Sequence, residues 1–161
     1  MTTATVPDLA TLHLEKGAHG TRADGVCVME AVAWYAGERH SDAPACVCSV
    51  LRTFGAELND VLSDQRRQEL RPLIPRLVGT AGDGQAEARS YMALDWLIRT
   101  YTPVWLELAG LAAEAQALRD LRRIVDLVAA QAAGPVVRDA GTKAAAAWDA
   151  AWDAARDAAW A

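Results

Sequence analysis

Residues 86–101, AEARSYMALDWLIRTY, decide the fold class. The stretch holds neither glycine nor proline, and Tyr91, Met92, Leu94, Trp96, Leu97 and Ile98 follow helical rather than alternating spacing. The spacing predicts a helix that is apolar on nearly every side and therefore central, with Asp95 and Arg99 placed to pair at i, i+4. Downstream, Thr102-Pro103 reads as an N-cap and first-turn proline opening a short helix through Trp105, Leu106 and Leu108. Gly110 separates it from Leu111–Leu118, and Leu121–Ala133 follows with Ile124, Val125, Leu127 and Val128.

Upstream, Gly79–Gly84 is a flexible loop, and Pro72 and Pro75 restart the chain after an element at Gln65–Leu70 capped by Ser63 or Asp64. A longer helix is expected from an N-cap at Asp42, with Pro44 in its first turn, through Val50, Leu51, Phe54, Leu58 and Leu62. Gly55 within it is a break or a close packing contact. Val26–Ala36 keeps helical spacing and ends at Gly37, which suits a left-handed cap. No segment shows strand alternation or a hairpin signal. The expected class is all-α, a compact multi-helix bundle with Trp34, Trp96 and Trp105 as core anchors.

With 161 residues the chain can bury a real core. Abundant alanine and a single phenylalanine favour closely packed helices. The net charge of -5 argues against phosphate-backbone binding. The most basic run, Arg66, Arg67, Arg71 and Arg76, is interrupted by Glu69 and reads as a solvated helix face. Met1–Asp8 lacks the basic and apolar regions of a leader, and no window is long and apolar enough to span a bilayer. A soluble, cytoplasmic protein with neither nucleic-acid nor membrane partners is expected.

The C-terminal stretch differs in kind. Gly134-Pro135 and Gly141-Thr142 bracket an expected linker over 134–142, which separates a helical domain, 1–133, from an Ala/Trp-rich tail, 143–161. In that tail Trp148, Trp152, Arg156 and Trp160 recur every fourth position, and Asp149, Asp153 and Asp157 follow the first three of them. Each four-residue step advances about 40° around a helix, so the tryptophans spread over roughly 120°. A lone helix cannot bury such a face, and its acidic flank disfavours anionic lipid. Trp148, Trp152 and Trp160 are therefore the expected partner-binding residues, toward another protein or a second copy of the chain.

All six cysteines and histidines, His13, His19, Cys27, His40, Cys46 and Cys48, fall within 36 residues. An odd number of cysteines fits metal ligation, a reactive thiol or plain burial better than a disulfide framework. A structural zinc would draw four ligands from Cys27, Cys46, Cys48, His19 and His40. That reading requires the second helix to begin at or after Cys48, because a helical backbone would point Cys46 and Cys48 about 200° apart. A catalytic reading makes Cys27 a nucleophile at a helix N-terminus, with His19 or His40 as base, Asp42 as orienter and Glu30 in proton transfer. The plain reading buries Cys27 and Cys46 as small hydrophobes and leaves the histidines in loops.

The pattern Gly17-x-His19, Gly25-x-Cys27-x-x-Glu30-Ala-Val-Ala-Trp34, Gly37-Glu38, Ser41-Asp42-x-Pro44-x-Cys46-x-Cys48, with Ile74-Pro-Arg-Leu-Val-Gly79 and Asp95-Trp96, resembles a group of uncharacterised bacterial and phage proteins. In that group similar N-terminal domains precede alanine-rich repeats carrying Trp, Arg and Asp. The resemblance implies no activity. The expected role is a small interaction or scaffold module, with a structural zinc among its options. The alternatives are a thiol-dependent enzyme centred on Cys27 and a regulator that binds its partner through the Trp-rich tail.

Overall fold

A computed structural model describes residues 6–159, with side chains described through 156, and every regular element among them is helical. The chain divides into two units, Met1–Arg89 and Ser90–Ala161.

In the first unit, α1 (Val28–Tyr35) contributes Val28, Met29, Ala31 and Val32 to a core completed by Leu14, Val47, Leu70 and Ile74. Gly37 closes it with φ +73°, as its spacing predicts. α2 (Ser49–Val61) crosses nearby, and Gly55 is a packing contact rather than a break: a Cβ there would lie 2.7 Å from Met29 Cε. This helix starts seven residues after the expected cap at Asp42. Glu38 takes the amides of Ala45 and Cys46 at 2.8 Å each, Ser41 Oγ takes that of Ala43 at 3.0 Å and Thr80 Oγ1 that of Cys48 at 3.0 Å, so these amides are satisfied without helix.

α3 (Asp64–Arg67), a 3₁₀ stretch at Gln68–Leu73 and α4 (Ile74–Leu77) follow, the proline-bearing restarts falling where Pro72 and Pro75 require them. The expected solvated basic face holds for Arg66 and Arg76, which are exposed, but not for Arg67 and Arg71. Arg67 is buried and donates to the carbonyls of Asn59 and Leu62 at the end of α2, while Arg71 reaches the carbonyls of Ala10 and Leu12. Helix ends and the irregular lead-in leave carbonyls without partners, and the long guanidinium stems reach them.

α5 (Ala86–Trp96) runs through a π-helical turn at Leu97–Tyr101 into α6 (Thr102–Leu108), so the expected break at Thr102-Pro103 is absent. Pro103 cannot donate and would crowd an α-helical carbonyl, and the wider turn accommodates it, with Thr102 bonding back to Leu97 O through both N–H and hydroxyl. In the second unit Leu106 packs with Ala115 and Leu118 of α7 (Ala112–Arg119) and with Ala140 of α8 (Leu127–Ala159), around which Ile98, Val136, Val137 and Ala144 gather. Asp95 pairs with Arg99 at 3.3 Å, as expected, and also accepts the Ile124 amide at 2.8 Å.

Three further expectations fail. The helix expected from Leu121 starts only at Leu127, because Asp95 and Asp126 take the Ile124 and Ala129 amides. Residues 134–142 are helical rather than a linker, since the alanine-rich flanks on both sides, and the burial of Ala133 and Ala140, outweigh two glycines and one proline. Trp96 and Trp105 are 42% and 57% exposed, so they are not core anchors; they form a surface ladder with Tyr101, ring centroids 5.1 and 6.1 Å apart. Trp34 is half-buried, with Arg22 stacked over its ring.

Candidate functional site

The centre of the cysteine and histidine cluster is a carboxylate. Glu30, at the third position of α1, is 1% exposed and forms a capping box with Cys27: its Oε2 accepts the Cys27 amide at 2.8 Å, and its own amide reaches Cys27 Sγ at 3.5 Å. The lead-in loop folds over it. Glu30 Oε1 accepts the His19 amide at 2.6 Å, His19 Nδ1 lies 2.8 Å from Oε2, and His40 Nε2 lies 3.5 Å from Oε1 and 3.0 Å from His19 O. Gly25 permits this approach: its φ is +127°, and a Cβ there would stand 2.8 Å from the His19 ring.

Burial alone would raise the Glu30 pKa, but the amides of Cys27 and His19 and the His19 ring outweigh it and hold the carboxyl below its ordinary value. Cys27 moves the other way, pushed up to about 11 by burial and by the Glu30 charge, so its thiol stays protonated near neutral pH. A helix N-terminus does not generate a thiolate here because burial disfavours the charged form and the nearest full charge is negative.

The other two thiols have partners of their own. Cys46 lies in a turn beside Glu38, where burial and the carboxylate push it up. Cys48 caps α2; burial would raise it, but the amides of Leu51 and Val50 and the Arg89 guanidinium draw it below the usual thiol range. Arg89 is itself fixed by Asp83 and by Thr80 O. His13 makes an exposed pair with Asp64 at 3.3 Å.

The backbone condition for a zinc site is met, since α2 begins at Ser49, yet the set Cys27, Cys46, Cys48 with His19 or His40 is not assembled. His19 and His40 turn to Glu30, Cys46 to Glu38 and Cys48 to Arg89. Among the described residues no three His, Cys, Asp or Glu side chains converge as metal ligands. Asp42, the expected orienter, makes no contact with His40 among the hydrogen bonds and ion pairs of this cluster.

The sequence reading gave no functional role to Glu38, Asn59 or Arg89. Asn59, fully buried, accepts the Val28 amide and donates to Glu15 O, tying α2 to the start of α1 and to the lead-in. Its only signal was an Asn-Asp pair within an apolar helical pattern.

The partner-binding candidates sit on α8, where Trp148 is 69% and Trp152 62% exposed; Trp160 lies outside the described residues. No described helix is long and apolar enough to cross a membrane. Comparison with protein-family models, with curated proteins and with solved structures finds no match.

Proposed function

We propose that this chain is an interaction module: the first unit is a hydrogen-bonded scaffold, and α8 presents a tryptophan-bearing face to a helix of another protein chain. The observation that carries the reading is the pair Trp148 and Trp152, large apolar rings held in solvent on a helix anchored at its other end through Val136, Val137, Ala140 and Ala144. Exposed aromatic side chains on a rigid element cost little entropy on binding and supply much of the contact energy of interfaces. The Cys27 pKa, raised to about 11 by burial and the Glu30 charge, favours this role over a thiol enzyme, since both disfavour the nucleophilic thiolate.

The test places a photo-reactive residue at Ala151, between the two tryptophans, in cells expressing the full chain. A discrete crosslinked protein species that vanishes in the W148A/W152A double variant supports the reading. Crosslinking that is diffuse, or unchanged in the double variant, overturns it.

A further inference from the structure

Leu9 and Ala10 of the lead-in, with Gln65, Glu69, Arg71 and Pro72, line a cavity of about 730 Å³ that lies wholly within the first unit. Small-molecule sites typically run from about 300 to 1,000 Å³. Two sets of ties hold the walls together. Arg71 Nη1 donates to the carbonyls of Ala10 and Leu12 at 2.9 and 3.2 Å, and the Gln68 amide group exchanges hydrogen bonds with the Leu14 backbone at 2.9 Å each.

Three polar side chains of the wall have bonding capacity left over. Arg71 is half-buried and held in place, since its Nε also donates to Gln68 O at 3.1 Å, yet its Nη2 makes no hydrogen bond and no carboxylate pairs with its charge among the described residues. A guanidinium satisfied only by neutral carbonyls keeps its charge, and its remaining N–H groups suit a carboxylate. Glu69 and Gln65 are exposed and have no polar partner among the described residues. Glu69 precedes Arg71 by two residues in the 3₁₀ stretch, where two residues advance about 4 Å along the axis and about 240° around it, and no ion pair joins them. The wall therefore carries one pole of each sign, with Leu9, Ala10 and Pro72 as its apolar part.

We propose that this cavity binds a short zwitterionic peptide of apolar residues, its C-terminal carboxylate on Arg71 and its N-terminal ammonium at Glu69. A simple anion would meet the Glu69 carboxylate, a simple cation would meet the Arg71 guanidinium, and an uncharged apolar molecule would take water from both charges and return nothing. A ligand with both signs satisfies each pole. A dipeptide reaches about 7 Å end to end, a span that two long side chains leaving neighbouring positions can bracket, and Gln65 is left to bond the peptide group. Ion pairs at so open a site contribute little, so the expected dissociation constant is about 1 mM. The site is independent of α8, and its failure would leave the reading of that helix untouched.

Two-dimensional NMR of the isotope-labelled full chain, titrated with leucyl-leucine to about ten times that constant, tests the proposal. The expected result is saturable shifts confined to residues 9–12 and 65–72. Capping the peptide removes each pole without touching the fold: C-terminal amidation should weaken binding about fivefold, and N-acetylation about threefold. Glu69→Gln, at an exposed position with no partner to lose, should keep the dispersed spectrum and bind the free and N-acetylated peptides equally, while still discriminating against the amide. No saturable shift over this range, shifts that map elsewhere, indifference to either cap, or an E69Q protein that still prefers the free amine overturns the proposal.

Discussion

Replacing Glu30 by glutamine removes the charge at the centre of the first unit while keeping its shape, and the structure sets the size of the loss. The carboxylate serves three donors: the His19 amide at 2.6 Å, the Cys27 amide at 2.8 Å and His19 Nδ1 at 2.8 Å. Glutamine keeps one acceptor oxygen, which can retain the His19 amide. Its NH₂ then faces Cys27 N–H and His19 Nδ1; the imidazole can change tautomer and accept, but the buried amide cannot. One charge-assisted bond lost and one buried donor left unpaired amount to about 3 to 5 kcal/mol, a large part of a small domain's stability. Urea unfolding of E30Q followed by circular dichroism measures it. The pH dependence gives an independent check. The folded pKa of Glu30 lies below its ordinary 4.5, so the stability it contributes is complete above the unfolded value and is lost as pH falls through the folded one. E30Q should therefore flatten part of the acid limb. A loss under about 1 kcal/mol, with an unchanged acid limb, would refute the view that this carboxylate organises the unit.

Gly25→Ala meets both a positive φ and a 2.8 Å clash with the His19 ring, and should cost about 2 kcal/mol or more, read as a lowered melting temperature. Gly141→Ala should instead stabilise α8 by about 0.5 to 1 kcal/mol, since its Cβ meets open space inside a helix; a loss would mean that residues 134–142 are a linker after all. Iodoacetamide at pH 7.5 should leave Cys27 unmodified in the native protein while labelling all three cysteines after denaturation, and prompt native labelling of Cys27 would revive the thiol-enzyme alternative. Chelation should leave the helical signal unchanged, because the side chains that could ligate zinc are engaged with Glu30, Glu38 and Arg89; loss of helicity on adding EDTA would show a metal holding the fold.

The all-α class was legible because helical spacing and the absence of alternation are local properties, and α1, α5 and α7 lie close to where the pattern puts them. Boundaries set by distant side chains were not. Nothing around Asp42 announces that Glu38 and Thr80 will take the amides that would have extended α2, and nothing in Gly134-Pro135 announces that Ala133 and Ala140 will be buried. The candidate site was half legible. The Cys27–Glu30 spacing put thiol and carboxylate on one face, and His19 and His40 do come to them, but the sequence could not say that the carboxylate is the hub. Whether three thiols share a point depends on which charges reach each one, and those charges come from Glu38, which the pattern contains without assigning it a role, and from Arg89, outside it.

Hydrogen exchange of the full chain tests most directly the claim that the Glu30 carboxylate organises the first unit. The account predicts slow exchange of the His19 and Cys27 amides, which donate to that carboxylate. Fast exchange of both amides in the native protein would contradict it.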